Sequence, residues 1–153
     1  MEDYWATRTG RWRKAMHGRT GPSFADRLFD VRMVLVASPE LIEGEPPLRT
    51  PADLARHVLL HDDAMEIVAG GNAWRKWLEA AGVADRVDAD RGPHFSSNIL
   101  SLEAASQKLG VALALRPLVN ADIASGRLAA PFDIEVFLRI APELFLKRAV
   151  VGG

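Results

Sequence analysis

Two apolar runs constrain the fold of this chain more than any other feature: Val34-Leu35-Val36, which closes the segment Leu28–Val36, and Val111-Ala112-Leu113-Ala114-Leu115. Runs this short, almost free of polar residues, suit strands covered on both faces, as in sheets whose crossovers lay helices on either side. Val58-Leu59-Leu60 reads as a third buried strand, and Leu128 and Ile134–Val136 as further strand pieces. The segments between them carry helix punctuation. Ser38-Pro39-Glu40 opens a short helix that Gly44 and Pro46-Pro47 break. Thr50, Pro51 and Asp53 fit the N-cap, first and third positions of a helix reaching about Arg56. From Asn72 onward, Trp74, Trp77, Leu78 and Ala81 form one apolar stripe, closed by Gly82. Ser97 or Asn98 starts a helix through Leu100, Ala104, Ala105 and Gln107, with Gly110 at its end. A last helix runs from Pro117 to Ser125 and stops at Gly126. Gly70-Gly71 reads as a turn, and Val83–Gly92 as a loop or edge strand. Strand and helix therefore alternate, which predicts an α/β domain with a mainly parallel sheet and right-handed crossovers.

Composition narrows the function classes. The 153 residues fit one domain, and the formal net charge of -1 lacks the basic excess of a chain that neutralises phosphates. There is no cysteine, so disulfides and thiolate metal sites are excluded. Met1-Glu2-Asp3-Tyr4 is acidic where a secretory signal is basic, and no run approaches the roughly 18 apolar residues of a membrane span. A cytoplasmic protein with no membrane association is expected. Between Tyr4 and Phe24 the residues Arg8, Arg11, Arg13, Lys14 and Arg19 gather with little periodicity; they suit either a basic arm for nucleic acid or an irregular terminus.

Ligands of open α/β sheets bind outside the carboxyl ends of the strands. Two such ends stand out: His61-Asp62-Asp63 and Phe95-Ser96-Ser97-Asn98. The second leads into a helix, whose first N–H groups lack partners and sit at the positive end of the dipole. Ser96, Ser97 and Asn98 add donors without charge, which suits a small anion such as an amino acid or organic acid. The competing reading is that Ser97 only caps the helix. His61 beside Asp62 and Asp63 allows acid–base chemistry in a small hydrolase or transferase, with Ser96 or Ser97 as nucleophile, although nothing in the spacing requires it. His57, His61 and His94 lack metal-ligand spacing, and no phosphate loop, dinucleotide fingerprint or G-x-S-x-G is present. No metal, cofactor or catalytic residue is therefore expected.

Several segments in order resemble the effector-binding domain of LysR-type transcriptional regulators. They are Asp26–Asp30, Val34-Leu-Val-Ala-Ser-Pro-Glu-Leu, Leu48-Arg-Thr-Pro-Ala-Asp-Leu-Ala-Arg-His, Val58-Leu-Leu-His-Asp-Asp, Trp74-Arg-Lys-Trp-Leu-Glu-Ala-Ala-Gly, Phe95-Ser-Ser-Asn, Leu109-Gly-Val-Ala-Leu, Arg116-Pro-Leu-Val and Ser125–Phe132. The subgroup they are similar to includes the glycine-cleavage-system activator. The resemblance implies a type 2 periplasmic-binding-protein-like lobe, a small-molecule effector held between two lobes, and homo-oligomers in the parent family. By position, Phe95, Ser96, Ser97 and Asn98 resemble the second lobe's wall of the cleft, with His61 and Asp62 on the same side. DNA would be contacted only through a helix-turn-helix, which the family carries ahead of the first lobe.

The resemblance runs from about Phe24 to Phe132 and departs at both ends. Tyr4–Gly21 does not fit the family's first-lobe strand, and Phe137–Gly153 does not fit its return strand. The expected organisation is a basic irregular segment (1–24), a second effector lobe (25–136) and a divergent tail (137–153). A truncated or frameshifted regulator is the matching expectation; neighbouring DNA with no codons for a helix-turn-helix and first lobe in any frame would oppose it. The alternative function is a solute-binding module of the same fold that takes no part in transcription.

Overall fold

The computed structural model describes residues 4–6, 12–14 and 29–140. Two three-residue strands, β1 (Tyr4–Ala6) and β2 (Trp12–Lys14), pair antiparallel. The basic residues Arg8, Arg11 and Arg19 lie outside the described residues, as do Asp26 to Leu28 and all residues after Ile140.

The domain is built on a five-stranded sheet of β3 (Phe29–Val36), β4 (Leu59–Asp62), β5 (His94–Phe95), β6 (Val111–Leu115) and β7 (Glu135–Ile140), in the order β5-β4-β6-β3-β7. β4 pairs parallel with β5 and β6, whereas β3 is antiparallel to both β6 and β7. Four strands thus share one direction and β3 threads between them in reverse. The expected open α/β sheet with flanking helices is present, its four pairings divided equally between parallel and antiparallel.

The side chains of β3 and β6 divide by parity, as a period of two requires. Met33, Leu35, Val111, Leu113 and Leu115 face one core, with Leu59 from β4; Val34, Val36, Ala112 and Ala114 face the other, with Leu60. The first core is filled by Trp74, Trp77 and Leu78 of α3 (Ala73–Ala80), by Met65, Val68 and Ala69 of α2 (Asp63–Ala69) and by Leu54. The second is filled by Leu102, Ala104 and Ala105 of α4 (Asn98–Ser106) and Val119 of α5 (Arg116–Ala124). Both indoles are buried and bonded: Trp74 Nε1–H donates to the Leu60 carbonyl at 2.9 Å and Trp77 Nε1–H to that of Ile134 at 3.3 Å. Their rings meet edge to face, 6.3 Å apart at 72°, a favoured aromatic geometry.

Three elements differ from the sequence reading. The segment after β4 is not a plain strand end but the helix α2. Asp62 Oδ1 accepts from the Ala64 N–H at 2.8 Å as its cap, and Gly70, at φ 75°, closes it in the left-handed region. The helix after Thr50 is a single 3₁₀ segment, Pro51–Arg56. The Leu54 carbonyl there accepts from the His57 N–H at 3.1 Å and from Arg91 Nη2, and this favours the tighter turn over an α-helical continuation. The last strand extends to Ile140, whereas Val83–Gly92 forms turns, in keeping with its reading as a loop. The short helix α1 (Pro39–Ile42), capped by Ser38, lies where expected.

Candidate functional site

The shared direction of β4, β5 and β6 brings their carboxyl ends to one rim of the sheet, level with the start of β7 at Glu135. On this rim β4 and β5 are direct neighbours, with His61 opposite His94 and Asp62 opposite Phe95. The two chain segments singled out in the sequence therefore adjoin, although more than thirty residues separate them in the chain.

The β4 side is fixed from beneath. His61 is buried; its backbone N–H donates to the Pro93 carbonyl at 2.9 Å and its Nε2 lies 2.7 Å from the Arg91 carbonyl. A carbonyl only accepts, so Nε2 carries the proton. Arg91 in turn donates to the carbonyls of His57 at 2.7 Å and Leu54 at 2.5 Å. Gly92 lets this strap lie flat on β4: it sits at φ 110°, and a Cβ there would fall 1.9 Å from the Leu59 carbonyl oxygen. Asp62 is also buried and commits one carboxylate oxygen to capping α2. His61 and Asp62 thus shape the rim from below, both almost entirely out of reach of solvent. That geometry weakens the hydrolase reading.

The β5 side is open. Phe95 turns inward and packs against the second core, while Ser96 is exposed and Ser97 and Asn98 are half-buried. Ser97 is the N-cap of α4, but its Oγ accepts from the Leu100 N–H at a long 3.4 Å. Asn98 supplies its carbonyl to the Ser101 hydroxyl at 3.1 Å. The first turn of α4 exposes Ile99 and Leu100 beside these polar groups. An open corner of hydroxyls, an amide and helix N–H groups, bordered by apolar side chains, can hold a small oxyanion without a buried countercharge.

Two residues absent from the sequence-derived set join the rim. The ring of His94 stacks on His61 at 4.5 Å and 14°, and its Nδ1 lies 3.1 Å from Asp63 Oδ1. The register that places residue 94 beside residue 61 was invisible without knowing which strands pair. Further along the rim, Arg116 at the start of α5 holds Glu135 Oε2 through Nε at 2.9 Å and Nη2 at 2.7 Å, and Arg32 meets the other oxygen at 3.2 Å. That stretch is therefore occupied by its own ion pairs.

The carboxylates held below their ordinary pKa lie away from the rim. The backbone N–H groups of Thr50 and then Arg49 lower that of Asp53, and the Gln107 side chain and then Arg127 lower that of Glu103. Among the described residues no group of three or more His, Asp or Glu is placed to hold a metal ion, and no helix is long and apolar enough to cross a membrane.

An open α/β sheet of this kind matches a known class of domain. Residues 19–141 match the LysR substrate binding domain family, and the chain belongs to it. It is 37% identical over 108 residues to the glycine cleavage system transcriptional activator of Escherichia coli K12, covering 71% of this chain and 33% of that protein. It is 40% identical over 112 residues to the HTH-type transcriptional regulator TrpI of Pseudomonas aeruginosa, covering 72% and 36%. Among solved structures, the effector domain of the transcriptional regulator AmpR of Pseudomonas aeruginosa superposes with a TM-score of 0.59 at 27% identity, covering 81% of this chain and 65% of that one. The chain thus spans about a third of the length of these curated relatives, all of them transcriptional regulators.

Proposed function

We propose that residues 25–136 form the second effector lobe of a LysR-type regulator and sense a small anionic metabolite, an amino acid or organic acid, at the Phe95–Asn98 corner. The supporting observation is the direct pairing of β4 and β5, which sets the buried, strapped His61–Asp62 pair beside an open corner of donors. One wall of a cleft needs both parts, a rigid base and uncommitted polar groups. In this reading the regulator is cytoplasmic, works as a homo-oligomer, uses no cofactor and does no chemistry on its ligand. It contacts DNA through a helix-turn-helix outside the region matched here.

A thermal-shift screen with amino acids and small organic acids tests the proposal, because a ligand that binds only the folded chain raises its melting temperature by mass action. The expected result is an acid that stabilises the chain and loses most of that effect with Ser96→Ala or Asn98→Ala. Stabilisation that survives both substitutions unchanged would move the site elsewhere.

A further inference from the structure

The stacked histidines do more than fill space on the rim. His61 is held by two bonds, one from its backbone N–H and one from Nε2. His94 lies flat against it and meets Asp63, the first residue of α2. A carboxylate accepts and never donates, so in the neutral His94 ring Nδ1 carries the hydrogen and Nε2 carries the lone pair. A half-turn of the ring would keep the stack but lose the bond to Asp63. The side chain is 55% exposed, and no hydrogen bond among the described residues engages Nε2. The result is a hydrogen-bond acceptor of fixed tautomer and fixed plane, two residues before the Ser96 hydroxyl.

We propose that His94 is a specificity-determining residue of the effector site: its Nε2 accepts a hydrogen bond from an amine or hydroxyl on the effector, whose acid group meets the Ser96–Asn98 corner. The inference rests on the reading of that corner as the ligand wall and adds a second point of contact to it. It narrows the effector class from any small acid to acids that carry a neighbouring N–H or O–H donor. A simple acid would leave Nε2 facing apolar atoms, and an unpaired acceptor is costly where water is displaced.

A matched set of three-carbon acids makes the test: L-alanine and L-lactate carry the donor, and propionate lacks it. Each is titrated into the full chain at pH 8 and followed by the backbone amide resonances of residues 94–100. The expected outcome is perturbation of Ser96–Asn98 by alanine or lactate at concentrations at least tenfold below those propionate needs. His94→Phe, which keeps a flat ring against His61, should erase that preference while Asp63→Asn weakens it. Long-range nitrogen–proton correlations on the free chain should show His94 with its hydrogen on Nδ1. If propionate matches alanine and lactate at the same amides, the corner binds acids but His94 does not choose among them. A hydrogen on Nε2 in the free chain would overturn the assignment without touching the corner. If none of the three acids moves those amides, the corner itself is not the site and the role of His94 falls with it.

Discussion

The two halves of the rim are made of similar residue types and are used in opposite ways. At the end of β4, every polar side chain is committed inward: Asp62 to the start of α2, and His61 to the strap that Arg91 and Gly92 draw across the strand. At the end of β5, Ser96 is exposed and the one cap bond, from Leu100 to Ser97, is long. Polar groups buried without partners are costly, so those on the β4 side had to be satisfied internally. Groups on the β5 side can wait for water or a ligand. A residue's position on the sheet rim therefore says little about its role until its bonds are known.

The largest expected effects come from the committed half. Trp74→Ala removes a buried indole and the bond to the Leu60 carbonyl, and should cost about 3–5 kcal/mol in urea denaturation. Such a loss leaves little of the stability typical of a small domain. Gly92→Ala forces a Cβ into the Leu59 carbonyl. It should cost about 3 kcal/mol from strain and overlap and should detach β5 from β4, seen as faster amide exchange at His61 and Phe95. A Gly92→Ala chain of unchanged stability would show that the strap is dispensable.

Smaller effects separate the halves more sharply. Asp62→Ala should lower stability by about 1 kcal/mol through the lost cap. Ser96→Ala should change it by under about 0.5 kcal/mol, as surface substitutions do, yet weaken acid binding about tenfold. Equal stability losses at Asp62 and Ser96 would erase the contrast. Remote from the rim, Asp53 gives a control for pH. Its carboxylate accepts from the N–H groups of Arg49 and Thr50 at 2.9 Å each, which lowers its pKa in the folded chain. Its stabilisation is therefore present above the unfolded pKa and is lost as the pH falls through the folded one. Asp53→Asn should cost about 1 kcal/mol at pH 7, and the gap from the parent chain should close in strongly acidic urea melts.

Much of the fold was legible because its signals are local. The parity of Val111–Leu115 and Val34–Val36 announces strands buried on both faces, and the Trp74–Leu78 stripe announces a helix whose indoles fill one core. The helix α2 was legible too, in Asp62, Met65, Val68, Ala69 and Gly70, but the polar run His61-Asp62-Asp63 drew attention to chemistry rather than to capping. The 3₁₀ geometry of Pro51–Arg56 was not legible, since it depends on Arg91 arriving from another part of the chain. The site divides in the same way. The passage from β5 into a helix capped by Ser97 could be read from residue types alone. The pairing of residues 61 and 94, the reversal of β3 and the burial of Asp62 are products of register, which no single segment encodes.

The contrast rests on the β5 corner being uncommitted and the β4 end being closed. Mapping the backbone amides of the full chain while titrating the best acid from the thermal screen examines both at once. The account predicts saturable shifts concentrated at Ser96, Ser97 and Asn98, with smaller ones at His61 and none around Pro39–Arg49 at the opposite end of the sheet. Shifts centred on that opposite end, with the corner silent, would contradict it.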